Sequence, residues 1–289
     1  PYTTLFRSLA DWGADVIQVQ MPEHMRGDDT LGGQDGSDYQ YTHRNKRSVT
    51  LNLKEPEGIA ALKKLIGTAD VVVENFRPDV KFRLGIDHAT LSQDHPRLIY
   101  ASISGFGQSG PLAQRPGFDQ IAQGMGGLMS VTGERDDLGG GPQKVGVAVA
   151  DLMTGMYATV GILAALRHAE KTGEGQQVDM ALLDTQVAML ANLGANYLVS
   201  GKVPGRVGNA HQNIVPYQVF EVAANAAGDK DHLILAVGND SQFAKFCAVA
   251  GVPELASNPL FAKNSNRVLN RAQLVPQLEA VMKSRRKAD

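Results

Sequence analysis

Apolar positions along this chain follow two different spacings. Short apolar or β-branched runs predict strands, and apolar residues three or four positions apart predict helices. The helical spacing is clear at Ile59, Leu62, Leu65 and Ile66, which predict a helix over residues 55–69. In order, the runs predict strands at 14–20, 48–53, 70–74, 98–104, 175–179 and 232–237, and further helices at 151–170, 181–199, 241–250 and 270–286.

The alternation of strands and helices predicts an α/β fold with a doubly wound, mostly parallel sheet of the Rossmann-like kind. The runs at 70–74 and 98–104 are short and apolar, as is typical of strands that are covered on both faces. From Gly201 the chain enters a connection that contains glycine, proline and asparagine. We therefore expect a large domain over 9–200, and over 201–289 a linker and the start of a smaller α+β domain.

Composition and charge narrow the function classes. The 289 residues are 43% hydrophobic and carry a formal net charge of −2, and no basic block appears beyond the short tail 283–287, so we expect no nucleic-acid partner. A single cysteine, Cys247, excludes an internal disulfide framework and fits a reducing compartment. We find neither a signal-peptide pattern nor an uninterrupted apolar run of membrane-spanning length. A cytoplasmic protein without a membrane partner is expected.

The two ends differ from those of a complete protein. Residues Pro1 to Ser8 back-translate in one frame onto a common sequencing-adapter oligonucleotide, so we expect them to be a read artefact. The last amphipathic helix stops in Arg-Arg-Lys-Ala-Asp289 with no element after it. We interpret the chain as an internal fragment.

Asp151 is the best nucleophile candidate. It follows the small-residue run 145–150 and opens a long apolar helical stretch. One interpretation is a helix N-cap, because aspartate accepts hydrogen bonds from the free amides of a first turn. The other is a nucleophile, because the same environment keeps a carboxylate ionised and able to attack an electrophile. Spacing alone favours the cap, but the two roles are compatible.

A dinucleotide-binding pattern is present, and its context argues against that function. Gly105, Gly107 and Gly110 match G-x-G-x-x-G directly after a predicted strand. The third glycine of such a site opens a helix that receives the pyrophosphate, but Pro111 and Pro116 break the segment here. We therefore expect no nicotinamide cofactor.

Several motifs in fixed order give the chain a resemblance. They are Asn-Lys-Arg-Ser (45–48), Val-Glu-Asn-Phe-Arg-Pro (73–78), Ser-Gly-Phe-Gly-Gln-Ser-Gly-Pro (104–111), Pro-Gly-Phe-Asp (116–119) and Gly-Val-Ala-Val-Ala-Asp (146–151). Together they resemble the class III CoA-transferases, which include the formyl-CoA:oxalate and carnitine enzymes. The segments 195–198, 209–218 and 238–243 look most like the succinyl-CoA:glutarate (dicarboxylate) branch.

The resemblance implies that Asp151 attacks a donor thioester and forms first a mixed anhydride and then an aspartyl-CoA thioester. Asp119 aligns with an acidic position beside the family's active site, which implies a catalytic role in positioning the acceptor or the CoA thiol. On local grounds alone it is a cap for the helix that begins at Gln120. No metal or prosthetic group is implied, and coenzyme A thioesters are substrates. The resemblance also implies an interlocked homodimer, and a first strand before Leu9 and a C-terminal segment that this chain lacks.

The family's coenzyme A contacts carry over residue by residue to the large domain. They fall on Leu51, Asn52, Leu53, Lys54, Asn75, Phe76, Arg77, Arg83, Arg115 and Phe118. Among them Lys54, Arg83 and Arg115 would neutralise phosphates, and Phe76 or Phe118 would lie against the adenine or pantetheine. The acceptor side falls on Gly208, Asn209, His211 and Gln212, near the position of a glycine loop that closes over intermediates in the oxalate enzyme. The run of glycines itself is absent here, which puts a similar lid motion in doubt.

Three functions remain open. The first is transfer of CoA from succinyl-CoA to a small carboxylic acid, a dicarboxylate such as glutarate. The second is an α-methylacyl-CoA racemase, an isomerase of the same fold, whose pattern has a histidine where this chain has Phe118. The third is a noncatalytic CoA-binding protein, which the presence of Asp151 argues against.

Overall fold

The structure is a computed structural model that describes residues 7–25 and 36–288. It divides into two compact units, one formed by the chain up to Met129 with Lys144–Gly201 and the other by Ser130–Gln143 with the chain from Lys202 onward. The last boundary between the units, after Gly201, lies beside the domain change expected near residue 200. The sequence did not predict that residues 130–143 belong to the second unit. Residues 1–6 of the expected adapter segment lie outside the described residues, and its last two residues begin the first helix.

The first unit consists of helices around parallel strands. In chain order it contains α1 (Arg7–Asp11), β1 (Val16–Gln20), α2 (Ser37–His43), β2 (Lys46–Thr50), α3 (Pro56–Ile66), β3 (Val71–Glu74), α4 (Pro78–Leu84), α5 (His88–Asp94), β4 (Ile99–Ser104), α6 (Asp119–Met125), α7 (Leu128–Val131, at the first crossing), α8 (Val149–Thr172), β5 (Gln177–Ala181), α9 (Leu182–Ala188) and α10 (Ala191–Ser200).

The strands of this unit pair in parallel, so the predicted α/β class is confirmed. β1 pairs with β2, and β3, β4 and β5 form a second sheet with β4 in the middle. Within the described residues these are two sheets and not one. The strand expected at 48–53 is displaced to 46–50, since Leu51 makes the last backbone bond to β1 (3.0 Å to the Gln20 carbonyl) before the chain turns into α3.

The central strand β4 is covered on both faces, as its apolar sequence predicted. Ile99 and Ala101 pack against Ile162 and other residues of α8. Tyr100 points the other way and packs with Leu62 and further residues of α3 and α5. Because side chains alternate along a strand, a continuous apolar run is required where helices lie on both sides.

Helix α8 corrects one expectation from the sequence. By length and composition it is apolar enough to cross a membrane, whereas we expected no such segment. The hydropathy comes from alanine and methionine together with valine, isoleucine and leucine. One side of α8, from Ala150 to Ala169, is buried in the unit, which is the arrangement of a core helix.

The helix predicted over 181–199 is interrupted. α9 ends at Ala188 and α10 begins at Ala191, whose φ of 47° breaks the regular helix between them. The strand before it also differs, because β5 occupies 177–181 and not 175–179. No proline marks the break between α9 and α10, and the apolar periodicity continues across it. The sequence pattern therefore predicted one continuous helix.

The second unit is built around an antiparallel pair of strands. It contains β6 (Tyr217–Val222), β7 (Asp231–Ala236), α11 (Asp240–Ala250), α12 (Pro253–Ser257), α13 (Asn264–Leu269) and α14 (Arg271–Lys283). β6 was not predicted, while β7, α11 and α14 lie within a few residues of their expected positions. The fully buried Cys247 is part of the apolar core of this unit.

A buried arginine organises this core. Arg267 is fully buried and donates from Nε to the Val215 carbonyl (2.6 Å) and from Nη1 to the Phe261 carbonyl (2.9 Å). It forms an ion pair of 3.1 Å with Asp240 and lies 4.3 Å from the centre of the Phe243 ring. Since an unpaired buried charge is costly, this planar set of donors fixes the surrounding loops.

We predict that Arg267→Lys destabilises the protein by about 2–4 kcal/mol, because lysine keeps the charge but cannot reach these partners together. The matched control is Lys263→Met. Lys263 contacts the same aspartate at 3.4 Å but is exposed, so its loss should cost less than about 1 kcal/mol. Urea unfolding measures both. Equal costs for the two variants would contradict this role for Arg267.

Candidate active site

Asp151 lies in the first turn of α8 and is buried, with 3% of its surface exposed. The N-cap position of the helix is Ala148, and no side chain of its own forms a cap there. The interpretation of Asp151 as the N-cap is therefore wrong. Its Oδ1 atom is buried and accepts no hydrogen bond from the described residues, so this oxygen keeps its lone pairs free.

The amides at the start of α8 are bound by Asp119 instead. Asp119 Oδ1 accepts from the backbone N–H groups of Ala150 (2.8 Å) and Asp151 (3.3 Å). Its Oδ2 accepts from Gln123 Nε2 (2.7 Å), and Gln123 Oε1 accepts from the Val145 N–H (2.8 Å). Asp119 is itself the first residue of α6, so the expectation that it caps the helix at Gln120 is wrong. The Asp119 carboxylate instead holds the backbone of Ala150 and of Asp151, the candidate nucleophile.

Burial sets the protonation of Asp151. Burial, and after it the negative charge of Asp119, raises the pKa of Asp151 to about 6. We expected the first turn of the helix to favour the ionised form, but loss of solvent outweighs that effect here. At neutral pH the carboxylate is still mostly ionised and poorly solvated, which is the state that a nucleophile requires.

The segment 51–54 forms the turn between β2 and α3. Asn52 Oδ1 accepts from the Lys54 N–H at 3.0 Å, and a Cβ on Gly58 would lie 2.0 Å from the Asn52 carbonyl oxygen, so the turn packs directly on the helix backbone. Leu51, Leu53 and the more distant Phe76 share one apolar cluster. The structure thus brings two of the expected coenzyme A segments together.

The remaining expected contacts of the first unit are mostly exposed. Asn75 and Arg77 follow β3, and Arg83 lies near the end of α4, each with an exposed side chain like that of Lys54. Of the two expected aromatic contacts, Phe76 packs partly into the core, whereas Phe118 is 55% exposed. Phe118 is therefore the ring with a free face.

Arg115 and Phe118 line an open depression of about 610 Å³ together with Phe106, Ile121 and Met125. Phe106 was not predicted as a site residue, and its place between the first two glycines of the G-x-G-x-x-G pattern was the available signal. A second depression of about 550 Å³ is lined by Leu51 and by two unpredicted cations, Arg47 and Lys64.

The first glycine of the pattern has a packing role. A Cβ on Gly105 would lie 2.4 Å from the Gly117 Cα, so the loop after β4 and the loop before α6 touch through their backbones. No helix begins directly after Gly110; the next helix, α6, begins nine residues later, at Asp119. Gly105 thus serves contact between the loops, whereas Gly107 and Gly110, with φ of 85° and 95°, serve the geometry of the turn.

The expected acceptor residues lie in the second unit. Gly208 has a φ of 59° and approaches the Glu134 carboxylate, and Asn209 is exposed. His211 stacks on Tyr217 with 5.3 Å between ring centres, and its Nδ1 accepts from the Asn213 N–H at 3.0 Å. That bond places the proton of a neutral ring on Nε2, which is then a donor.

Two side chains hold the loop around Gln212 in place. Arg271 Nη2 donates to the carbonyls of His211 (2.6 Å) and Gln212 (2.9 Å). Asn264 donates to the Asn213 carbonyl (2.9 Å) and accepts from the Val215 N–H (3.1 Å). A segment with this many side-chain bonds resists opening, in keeping with the missing run of glycines.

Within residues 7–25 and 36–288, no group of three or more histidine, cysteine, aspartate or glutamate side chains lies close enough to hold a metal ion.

We predict that Asp151→Asn stabilises the protein at pH 8 by up to about 3 kcal/mol. The folded pKa of about 6 exceeds the ordinary 3.8, so ionisation of Asp151 costs stability as pH rises from 4 to 6, and the full cost persists above pH 6. The gain should vanish near pH 4. Denaturant unfolding at several pH values measures it, with Asp184→Asn, exposed in the first turn of α9, as the control. A gain independent of pH would contradict the raised pKa.

We predict that Gly105→Ala lowers stability by about 2–3 kcal/mol, because the new methyl group overlaps the Gly117 backbone. Gly141→Ala is the control, since a Cβ there meets nothing within 4 Å. Thermal unfolding compares the two. Equal melting temperatures would show that the loops do not pack as described.

Comparison with known proteins agrees with the motifs. A succinate–glutarate CoA-transferase of Agrobacterium fabrum is 49% identical, covering 92% of this chain and 67% of that protein. The succinyl-CoA:glutarate CoA-transferase of Homo sapiens is 39% identical, covering 95% of this chain and 61% of that protein. The crystal structure of a CAIB/BAIF family protein from Brucella suis is 43% identical with a TM-score of 0.78, covering 99% of this chain and 75% of that one.

The chain thus spans about two thirds of the length of the curated relatives it matches. The family model of CoA-transferase family III matches residues 3–289. The resemblance predicted from the ordered motifs is confirmed, and the chain belongs to CoA-transferase family III.

Proposed function

We propose that the protein transfers coenzyme A from an acyl-CoA donor, succinyl-CoA, to a dicarboxylic acid acceptor such as glutarate, with Asp151 as the nucleophile. The observation that carries the proposal is the buried Asp151 carboxylate, with a pKa of about 6 and one oxygen free of hydrogen bonds from the described residues. The choice of acids rests on the relatives from Agrobacterium fabrum and Homo sapiens, whose names give succinate or succinyl-CoA and glutarate.

The chemistry proceeds through covalent intermediates on Asp151. A carboxylate oxygen attacks the donor thioester carbonyl and expels the CoA thiolate, which gives a mixed anhydride. The thiolate attacks the aspartyl carbonyl and releases the donor acid, which leaves an aspartyl-CoA thioester. The acceptor carboxylate then displaces the thiolate to form a second anhydride, and attack of the thiolate on the acceptor carbonyl gives the new acyl-CoA and restores Asp151.

The position of Asp151 suits these steps in two ways. With a pKa of about 6, roughly nine tenths of the carboxylate is ionised at pH 7. Burial excludes water, which would otherwise hydrolyse the anhydride. Asp119 acts as a positioning residue, since its carboxylate binds the backbone amides of Ala150 and Asp151.

Coenzyme A binding is assigned to the first unit. The exposed cations Lys54, Arg77, Arg83 and Arg115 are available for phosphates, and the free face of Phe118 is available for the adenine or pantetheine. Leu51, Asn52, Leu53, Asn75 and Phe76 supply the turns between these groups. In the second unit we assign the Nε2–H group of His211 to the distal carboxylate of the acceptor, with Gly208, Asn209 and Gln212 around it.

The racemase alternative lacks a base. Proton exchange at the α-carbon requires two positioned bases, and this chain has Phe118 where the racemase pattern has histidine. Deuterium exchange from solvent into an α-methylacyl-CoA, without CoA transfer, would favour it.

We also propose that the protein acts as an interlocked homodimer, which the family resemblance supports. We propose the cytoplasm as its location, which the single cysteine supports, since it fits a reducing compartment.

We predict that Asp151→Ala lowers the rate of transfer from succinyl-CoA to glutarate at least about a thousandfold, because it removes the nucleophile. Asp184→Ala, an exposed first-turn aspartate of the next helix, should retain the wild-type rate. Acyl-CoA products are followed by mass spectrometry over a panel of acceptor acids. Transfer by Asp151→Ala at a near wild-type rate would refute the assignment.

We predict that kcat/KM rises with pH through a limb near pH 6 as Asp151 ionises. In Asp119→Asn this limb should move to lower pH, because the substitution removes a negative charge beside Asp151 while keeping an oxygen for the helix amides. An unchanged limb, or one moved to higher pH, would contradict the predicted effect of the Asp119 charge on the pKa of Asp151.

A further inference from the structure

A buried ammonium group joins three segments at one end of the β3–β4–β5 sheet. Lys81 of α4 is 2% exposed. Its Nζ donates to Glu74 Oε1 (2.8 Å) at the end of β3 and to Ser102 Oγ (2.9 Å) on β4. It also donates to Gln108 Oε1 in the loop after β4. All three ammonium hydrogens are therefore used.

This cluster lies at the carboxyl ends of parallel strands, where α/β sheets bind their ligands. Glu74 uses its second oxygen to accept from the Phe76 N–H at 2.8 Å, which fixes the start of the expected coenzyme A segment 75–77. Because buried ion pairs can often be replaced by apolar residues without loss of stability, the presence of this pair is weak evidence for a purely structural role. Its position points to a role in binding.

The loop 105–110 connects two segments that are assigned to coenzyme A but is itself unassigned. On one side it is tied to Glu74 and the segment 75–77 through Lys81. On the other side Gly105 touches the backbone of Gly117, and Phe106 shares a depression with Phe118. A ligand that spanned the two assigned segments would pass along this loop.

Lys81 also fixes which way the Gln108 amide faces. An ammonium group only donates hydrogen bonds, so Oε1 of Gln108 must face it and Nε2 must point away. The Nε2 atom is buried and has no hydrogen-bond partner among the described residues. The Gln108 backbone is held as well, since its N–H donates to Asp179 Oδ2 at 3.0 Å. An oriented and unused donor remains.

We propose that Gln108 is a binding residue for acyl-CoA, whose Nε2–H group donates to an amide carbonyl oxygen in the pantetheine arm of the coenzyme A moiety, and that Lys81 is the positioning residue that orients it. The proposal rests on the proposed function, because it adds a contact to the same coenzyme A site. It assigns donor binding, and not acceptor binding, to the loop 105–110.

The first test is Gln108→Met, which keeps the side-chain length and removes the donor. We expect the KM for succinyl-CoA to rise about five- to tenfold, with the KM for glutarate and kcat within about twofold. The control is Gln93→Met, an exposed glutamine of α5, which should change none of them. A succinyl-CoA KM within twofold of wild type, or an equal rise in both KM values, would overturn the proposal.

The second test separates orientation from folding. Lys81→Met alone leaves a buried Glu74 charge and should lower the melting temperature. The double variant Glu74→Gln with Lys81→Met is neutral, and should fold with a melting temperature near that of wild type but show the raised succinyl-CoA KM of Gln108→Met. A well-folded double variant with unchanged KM would show that Lys81 orients nothing.

A third test measures the binding of free coenzyme A by calorimetry. It distinguishes failure of the Gln108 contact from failure of the proposed transfer reaction. If the wild-type protein transfers no CoA, the reaction is refuted. Weaker coenzyme A binding by Gln108→Met than by wild type would still support the contact. Equal binding by the two proteins, or binding by neither, would overturn it.

Discussion

The candidate site depends on one interaction, the binding of the Asp119 carboxylate to the backbone amides at the start of α8. The first amides of a helix have no partner within the helix, and an anion there satisfies them and favours the helix dipole. Here the anion comes from another helix, α6, so the bond also fixes α8 against α6. The backbone of Asp151 is thereby held in place by the Asp119 carboxylate, and the Oδ1 atom of Asp151 keeps no hydrogen-bond partner among the described residues.

In this arrangement the burial of Asp151 opposes the ionisation of its carboxyl group. Burial raises the pKa of Asp151, so the ionised form is destabilised in the folded protein relative to the unfolded chain. In the mechanism we propose, the same poor solvation makes the carboxylate reactive and keeps water from the covalent intermediate. A site that must remain charged and buried therefore lowers the stability of its own fold, which is a common cost of function.

Patterns along the chain predicted those features that depend on neighbouring residues, such as strands, helices and short motifs. The continuous apolar run at 98–104 predicted a strand covered on both faces, and β4 has that environment. The ordered motifs predicted the family, and Asp151 was singled out from its position at a helix start. The break between α9 and α10 was not predicted, because only the unusual φ of Ala191 marks it.

The partners across the site could not be read from the sequence. Asp119 contacts amides more than 30 residues away, and Lys81 binds Gln108 across 27 positions. Such contacts depend on how strands and loops meet in space, and spacing along the chain does not encode it. The local interpretation of Asp119 as a cap of its own helix was wrong for this reason. The same limit applies to β6, whose partner strand was predicted although β6 itself was not.

The most direct test of the account is the intact mass of the protein after brief incubation with succinyl-CoA in the absence of an acceptor. The account predicts a covalent adduct with the mass of coenzyme A, minus water, which peptide mapping places on Asp151 and which glutarate removes. An adduct on another residue, or turnover to glutaryl-CoA with no adduct on Asp151 at any time, would contradict it.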